Sequence, residues 1–150
     1  MIVSYDIDGV LAEQPPQSPK KWGQMNGAER QQRKKYLYHW YANANRLLNP
    51  LENEFFAISA RKSDPVVFGI TNRWLDAHFP GRVKRCFLLQ DSRTVENVIQ
   101  FKSSVIQSYG IQRHYEDNKV VLRGMRKILP KNIELFFWEK GMIVPTIFEI

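Results

Sequence analysis

The chain has 150 residues, the size of one domain, and its 43% apolar and 25% charged residues exclude a disordered or fibrous protein. A formal net charge of +7, from 22 Lys+Arg against 15 Asp+Glu, favours anionic partners: phosphorylated molecules, nucleic acid or acidic lipid. The single cysteine, Cys86, excludes an internal disulfide framework and a cysteine-built zinc site, and no stretch approaches the ~20 apolar residues of a membrane span. The opening MIVSYDIDGV lacks a basic leader and carries two aspartates, so it does not read as a signal peptide. A cytoplasmic protein is the expectation.

An apolar strand is expected over residues 1–7, bounded by Gly9. Residues 11–25, with Pro15, Pro16 and Pro19, read as a loop. From about residue 27 to 48 the pattern turns helical. Leu37, Trp40, Tyr41, Ala44, Leu47 and Leu48 recur at helical spacing until Asn49-Pro50 ends the run. Residues 55–59 form a second strand, and Asp64-Pro65 opens a helix reaching about residue 78, since proline is tolerated in a first turn. A third strand follows at 83–89, then a helix at 94–109 stopped by Gly110, and a short fourth strand at 111–115. A helix at 120–129 ends before Pro130, a fifth strand covers 133–138, and the tail 142–150 is a candidate edge strand.

Strands alternating with helices of ten or more residues argue for βαβ units around a parallel sheet. Such sheets bind ligands at the carboxyl ends of their strands, so chemically competent residues are sought there. Strand one ends in Asp6-Ile7-Asp8-Gly9-Val10. Two carboxylates this close repel unless a cation lies between them, although an acidic turn gives the same string. A calcium EF-hand loop fits poorly, because no further acidic ligands follow at the required spacing. Strand two ends in Ser59-Ala60-Arg61, either a capping turn or a hydroxyl-and-amide cradle for phosphate at a helix entrance. Lys102 falls on the apolar side of its helix, among Val98, Ile99, Val105 and Ile106. There it either snorkels to water or reaches the strand-end crevice as a cation for phosphoryl oxygen. Strand four runs into Glu116-Asp117, a second carboxylate site or a solvated turn.

In order and spacing these four features resemble the motifs of the haloacid-dehalogenase-like (HAD) superfamily of phosphatases. Asp6-Ile7-Asp8-Gly9-Val10 is similar to its first motif, D-x-D-G-(V/T), and Ile58-Ser59-Ala60-Arg61 to its second, apolar-(S/T)-G-R. Lys102 suits the third motif and Glu116-Asp117 the fourth. The sequence departs from the pattern at Glu116, where aspartate is common, and at Ala60, where glycine is frequent. The resemblance spans the chain and implies a three-layer, Rossmann-type parallel sheet flanked by helices. Residues 11–50 then form a small basic cap-like insertion within a single domain, 1–150. It further implies Asp6 as nucleophile, forming an aspartyl-phosphate, and Asp8 as general acid and base. Mg²⁺ would be held by Asp6, the Asp8 carbonyl, and Asp117 or Glu116. Lys102, Ser59, Ala60 and Arg61 would hold the substrate phosphoryl group.

The basic charge is local. Residues 20–46 hold seven basic residues against one acid, Glu29, a net +6, interleaved with Trp22, Tyr36, Tyr38, Trp40 and Tyr41. That mixture suits phosphate contacts with base stacking, or a solvated helix whose Trp40 and Tyr41 fill a cap core. The partner expected is a phosphorylated substrate, a nucleotide or a nucleic-acid terminal phosphate; membrane lipid drops out. Two alternatives stand beside it, a small-metabolite phosphatase and a non-catalytic nucleic-acid-binding module on the same fold. His39, His78 and His114 show no ligand spacing and read as ordinary surface or core residues. Cys86 reads as a small buried apolar group.

Overall fold

The computed structural model describes residues 1–149. In chain order its elements are β1 (Val3–Tyr5), α1 (Gly27–Asn43), β2 (Phe55–Lys62), α2 (Pro65–His78) and β3 (Val83–Leu89). They continue with α3 (Val95–Ser108), β4 (Arg113–Glu116), α4 (Lys119–Ile128), β5 (Glu134–Phe137) and β6 (Thr146–Ile147). A single 3₁₀ turn, Trp22–Gln24, precedes α1. The strands form one sheet of order β3-β2-β1-β4-β5-β6, parallel throughout except for β6, which pairs antiparallel with β5. This is a Rossmann-like α/β fold. Strand order reverses direction between β1 and β4, the place where sheets of this kind leave a crevice at their carboxyl ends.

Helix entrances follow local chemistry. Asn26 and Glu29 form a reciprocal cap on α1, and Asp64 accepts from the Val67 amide with Pro65 in the first turn of α2. Thr94 caps α3, and Asn118 caps α4 through the Val120 and Val121 amides. The strands bury both faces, as parallel strands covered by helices must. One face packs Val3, Tyr5, Phe55 and Ala57 against Trp74, Leu75 and Phe79, with Tyr41 of α1 reaching the same cluster. The other packs Phe56, Ile58, Leu135 and Phe137 against Val98, Ile106, Leu122 and Met125 of α3 and α4. The sheet therefore lies between α1 with α2 and α3 with α4. Among the described residues no helix is long and apolar enough to cross a membrane.

Three of the boundaries that differ from expectation do so for a tertiary reason. Helix α1 stops at Asn43 rather than near residue 48, because the following segment is extended and pairs with the chain leaving β1. The Leu47 and Leu48 amides donate to the Leu11 and Val10 carbonyls, both at 2.9 Å, so the apolar spacing there marks a buried ribbon instead of a helical face. β1 is only three residues long, since Asp6 keeps one sheet bond, its amide to the Tyr115 carbonyl at 3.0 Å, before the backbone turns. β2 runs three residues past Ser59 to Lys62, with a register shift against β3 between Ser59 and Lys62. The tail supplies the two-residue edge strand β6, while Ile150 lies outside the described residues.

Candidate functional site

Asp6 leaves the end of β1 and Glu116 the end of β4, and the two strands are neighbours in register, with Tyr5 opposite Tyr115. Side chains two apart on a strand share a face, so Ser4 and Asp6 face the same way, as do His114 and Glu116. That face looks toward α3, and α3 presents Lys102. The lysine is 1% exposed, so it does not snorkel. Its ammonium donates to Asp6 Oδ1 at 3.0 Å and to Glu116 Oε1 at 2.5 Å. Behind Glu116 lies a fully buried His114, whose Nε2 is 3.2 Å from Glu116 Oε1 and whose Nδ1 is 2.7 Å from Ser4 Oγ. Asp117, half-buried, completes the group: carboxylate oxygens of Asp6, Glu116 and Asp117 lie within 4.8 Å of one another.

Three carboxylates surround one ammonium, and the electrostatics follow. Burial, reinforced by the Glu116 charge, pushes the Asp6 carboxyl well above the usual carboxylate range, against the pull of Lys102. Burial and Glu116 likewise push Asp117 up to about 7. Burial works against the Glu116 carboxylate too, but Lys102 and the His114 hydrogen bond overcome it and hold it below its ordinary value. Burial pulls His114 down, so the imidazole favours its neutral form. With all three acids ionised the site would carry more negative charge than Lys102 offsets, and the raised Asp6 and Asp117 express that cost. Oxygen donors only, close together and short of positive charge, form a set that fits a hard dication such as Mg²⁺. Of the two acids after β4, Glu116 is already engaged by Lys102 and His114. Asp117 has no ion-pair partner among the described residues and is the carboxylate better placed for an ion.

Gly9 makes room for that carboxylate. Its φ is +88°, the left-handed region, and a Cβ there would stand 2.0 Å from Asp117 Oδ2. Gly9→Ala is expected to destabilise the fold by about 2 kcal/mol, combining left-handed backbone strain with displacement of Asp117. Chemical denaturation measures this directly. Wild-type stability in the variant would mean that the β1 turn can move away from Asp117.

A pocket of about 410 Å³ opens over the group, and Asp6, Asp8, Ser59, Ala60, Lys102, Glu116 and Asp117 all line it. Of the catalytic, phosphate-binding and metal-binding residues expected from the sequence, Arg61 alone stands apart from this pocket. The helix-entrance cradle expected at Ser59 is replaced by strand: β2 continues through Ala60 and Arg61, and the Arg61 amide donates to Ser59 Oγ at 3.1 Å. The irregular pairing there turns Arg61 inward. Its guanidinium, 3% exposed, grips Asp8 with two bonds, 2.9 Å from Nε and 2.8 Å from Nη2. It also donates to Thr71 Oγ1 at 2.9 Å and lies 3.9 Å from the Tyr41 ring centre. Arg61 is thus the counter-ion of Asp8, a fork-to-fork pair that fixes the carboxylate's direction. His114 and Ser4 were not legible as site residues from spacing between histidines. Their signal is the two-residue period that puts each on the face of a neighbouring acid. Cys86 is buried, and burial pushes its thiol up to about 12, as for an inert core group.

No protein-family model matches the chain, and among curated proteins no relative matches it.

Proposed function

We propose that the protein is a Mg²⁺-dependent phosphomonoesterase of the haloacid-dehalogenase-like type, working through an aspartyl-phosphate on Asp6. The observation that carries this reading is the convergence of Asp6, Lys102, Glu116 and Asp117 at the crevice where strand order reverses. The sequence resemblance at the same positions supports it. A purely binding protein would gain nothing from two buried acids and a half-buried third around one lysine, an arrangement that works against folding.

The division of labour follows from the contacts. Lys102 holds Asp6 Oδ1, which leaves the other oxygen as the nucleophile. That oxygen attacks phosphorus, the bond to the leaving oxygen breaks, and water later cleaves the acyl phosphate to regenerate the carboxylate. Asp8, two residues on at the pocket wall, is the proton carrier: it gives a proton to the leaving oxygen and takes one from the attacking water. To take part it releases at least one of its two bonds to Arg61, which acts as a positioning residue. Glu116 anchors the ammonium of Lys102 with His114 and Ser4 behind it. Ser59 and Ala60 line the pocket, where the Ser59 hydroxyl and the Ala60 amide would donate to non-bridging oxygens. Asp6 and Asp117, with the Asp8 backbone carbonyl, would hold Mg²⁺. When bound, the ion supplies charge neutralisation for the phosphoryl oxygens and for the carboxylates themselves.

Phosphate release is measured with Mg²⁺ over nucleotides, 5′- and 3′-phosphorylated oligonucleotides and sugar phosphates. Release in Mg²⁺ and none after chelation is expected. Independently of turnover, Mg²⁺ at about 100 times its Kd stabilises the fold by about 2.7 kcal/mol, which raises the melting temperature by roughly 5–10 °C. Asp117→Asn should remove most of that rise. A chain that releases no phosphate from any ester, and melts at the same temperature with and without Mg²⁺, would refute the proposal.

A further inference from the structure

The pocket over Asp6 is not a closed cup. A second cavity of about 380 Å³ shares Asp8, Gln14 and Arg93 with it and extends to Lys21 and Trp22. A third, about 640 Å³, shares Trp22 and Arg93 with the second and is lined further by Lys34 and Tyr38. The three spaces adjoin one another at these shared residues and are taken together as one groove. It leads from the carboxylates, past Arg93 on the loop before α3, to the 3₁₀ turn and α1.

The charge along this groove has no internal purpose. Lys21, Lys34 and Arg93 are exposed, and none has a carboxylate partner among the described residues. Lys20, by contrast, is committed to Glu29 at 2.8 Å, and Lys62 donates to the carbonyls of Gln90 and Asp91. Cations of one sign left unpaired along one path repel each other and become favourable only when an anion joins them. Between them lies an aromatic surface. The Trp22 indole is 47% exposed and lines both outer cavities, while the Arg30 guanidinium lies 5.2 Å from its ring centre. A sugar phosphate seated on Asp6 would leave Lys21, Lys34 and Trp22 idle. A chain of alternating phosphates and flat bases would use all of them.

We infer that the substrate is the terminal phosphomonoester of a single-stranded nucleic acid. Its adjoining nucleotides run along the groove, with phosphates on Arg93, Lys21 and Lys34 and a base stacked on Trp22. This rests on the phosphatase reading of Asp6 and adds the substrate class to it.

The test uses a fluorescent single-stranded octanucleotide carrying a 5′- or 3′-phosphate, with affinity measured by anisotropy from 50 to 200 mM KCl. Three phosphate contacts give a slope of roughly −2 in log affinity against log salt, so binding weakens about 20-fold over that range. Replacing Lys21, Lys34 and Arg93 together by alanine should flatten the slope by roughly 2. Trp22→Ala should weaken binding on the order of 10-fold. The pair Lys127→Ala and Lys131→Ala, at the far end of α4 and beyond, removes charge away from the groove and should leave affinity unchanged. Phosphate release is followed in parallel from the octanucleotide and from p-nitrophenyl phosphate, with kcat/KM for the octanucleotide at least 100-fold higher. Salt-independent binding, or equal kcat/KM for the two esters, overturns the substrate assignment while leaving the phosphatase standing. Salt-dependent binding lost in the triple variant, without release from either ester, supports the groove and overturns the phosphatase.

Discussion

Asparagine at position 6 is expected to end phosphate release, lowering kcat by about 10⁴-fold or more, because an amide oxygen is a poor nucleophile toward phosphorus. The same variant, Asp6→Asn, is expected to melt higher than wild type in Mg²⁺-free buffer. The carboxylate it replaces is buried and repelled by Glu116 and Asp117, so its charged form is held at a cost that the neutral isostere avoids. Each 1 kcal/mol relieved corresponds to roughly 2–4 °C in a chain of this size. In saturating Mg²⁺ the advantage should shrink or reverse, since the wild-type site then has its positive charge. Calorimetry with and without the ion, beside a phosphate assay, reads both effects. Turnover near wild type would remove Asp6 from the mechanism; a lower melting temperature in the absence of metal would remove the electrostatic account.

The second large effect concerns the lysine. Lys102→Met keeps a flexible apolar stem in the core but deletes the ammonium between Asp6 and Glu116. Removing one member of a buried ion pair leaves uncompensated charge, which destabilises by about 3–5 kcal/mol, or roughly 10 °C on a chain this size. The double variant Lys102→Met/Glu116→Gln takes away the abandoned carboxylate as well and should regain most of the loss. Phosphate release should stay absent in both. If the single variant is as stable as wild type, Lys102 does not counterbalance the acids.

Much of this site was legible because strand ends announce themselves. Asp6, Lys102, Glu116 and Asp117 each break an apolar pattern at a place where water is scarce, and burying a charge without a partner is costly enough to make such breaks informative. The same reasoning gave the alternation of strands and helices, whose apolar runs are set by local chemistry. What escaped it depends on distant residues. Arg61 reads as part of a capping turn or phosphate cradle, yet it is strand, and Asp8, 53 positions earlier, supplies the charge that lets its guanidinium be buried. Leu47 and Leu48 keep helical spacing by coincidence with a ribbon whose other half is Val10 and Leu11. His114 carries no spacing signal among histidines, since its partners are an acid two residues on and a serine on a strand 110 positions away.

The place of β1 in the sheet has a consequence for how the chain reaches this state. It precedes every other strand in the chain, has three residues, and lies in the middle of the sheet, flanked by β2 and β4. Neither neighbour is local: Ser4 stands opposite Phe56 on one side and His114 on the other. A segment this short has no hairpin partner to hold it, so it stays unpaired until strands far along the chain arrive. Contacts of such long range slow folding, because the loops must close before the contacts stabilise anything. The step that seats β1 between β2 and β4 is also the one that brings Asp6 to Lys102 and Glu116. Closing the centre of the sheet and assembling the carboxylate cluster thus depend on the same long-range pairing of β1.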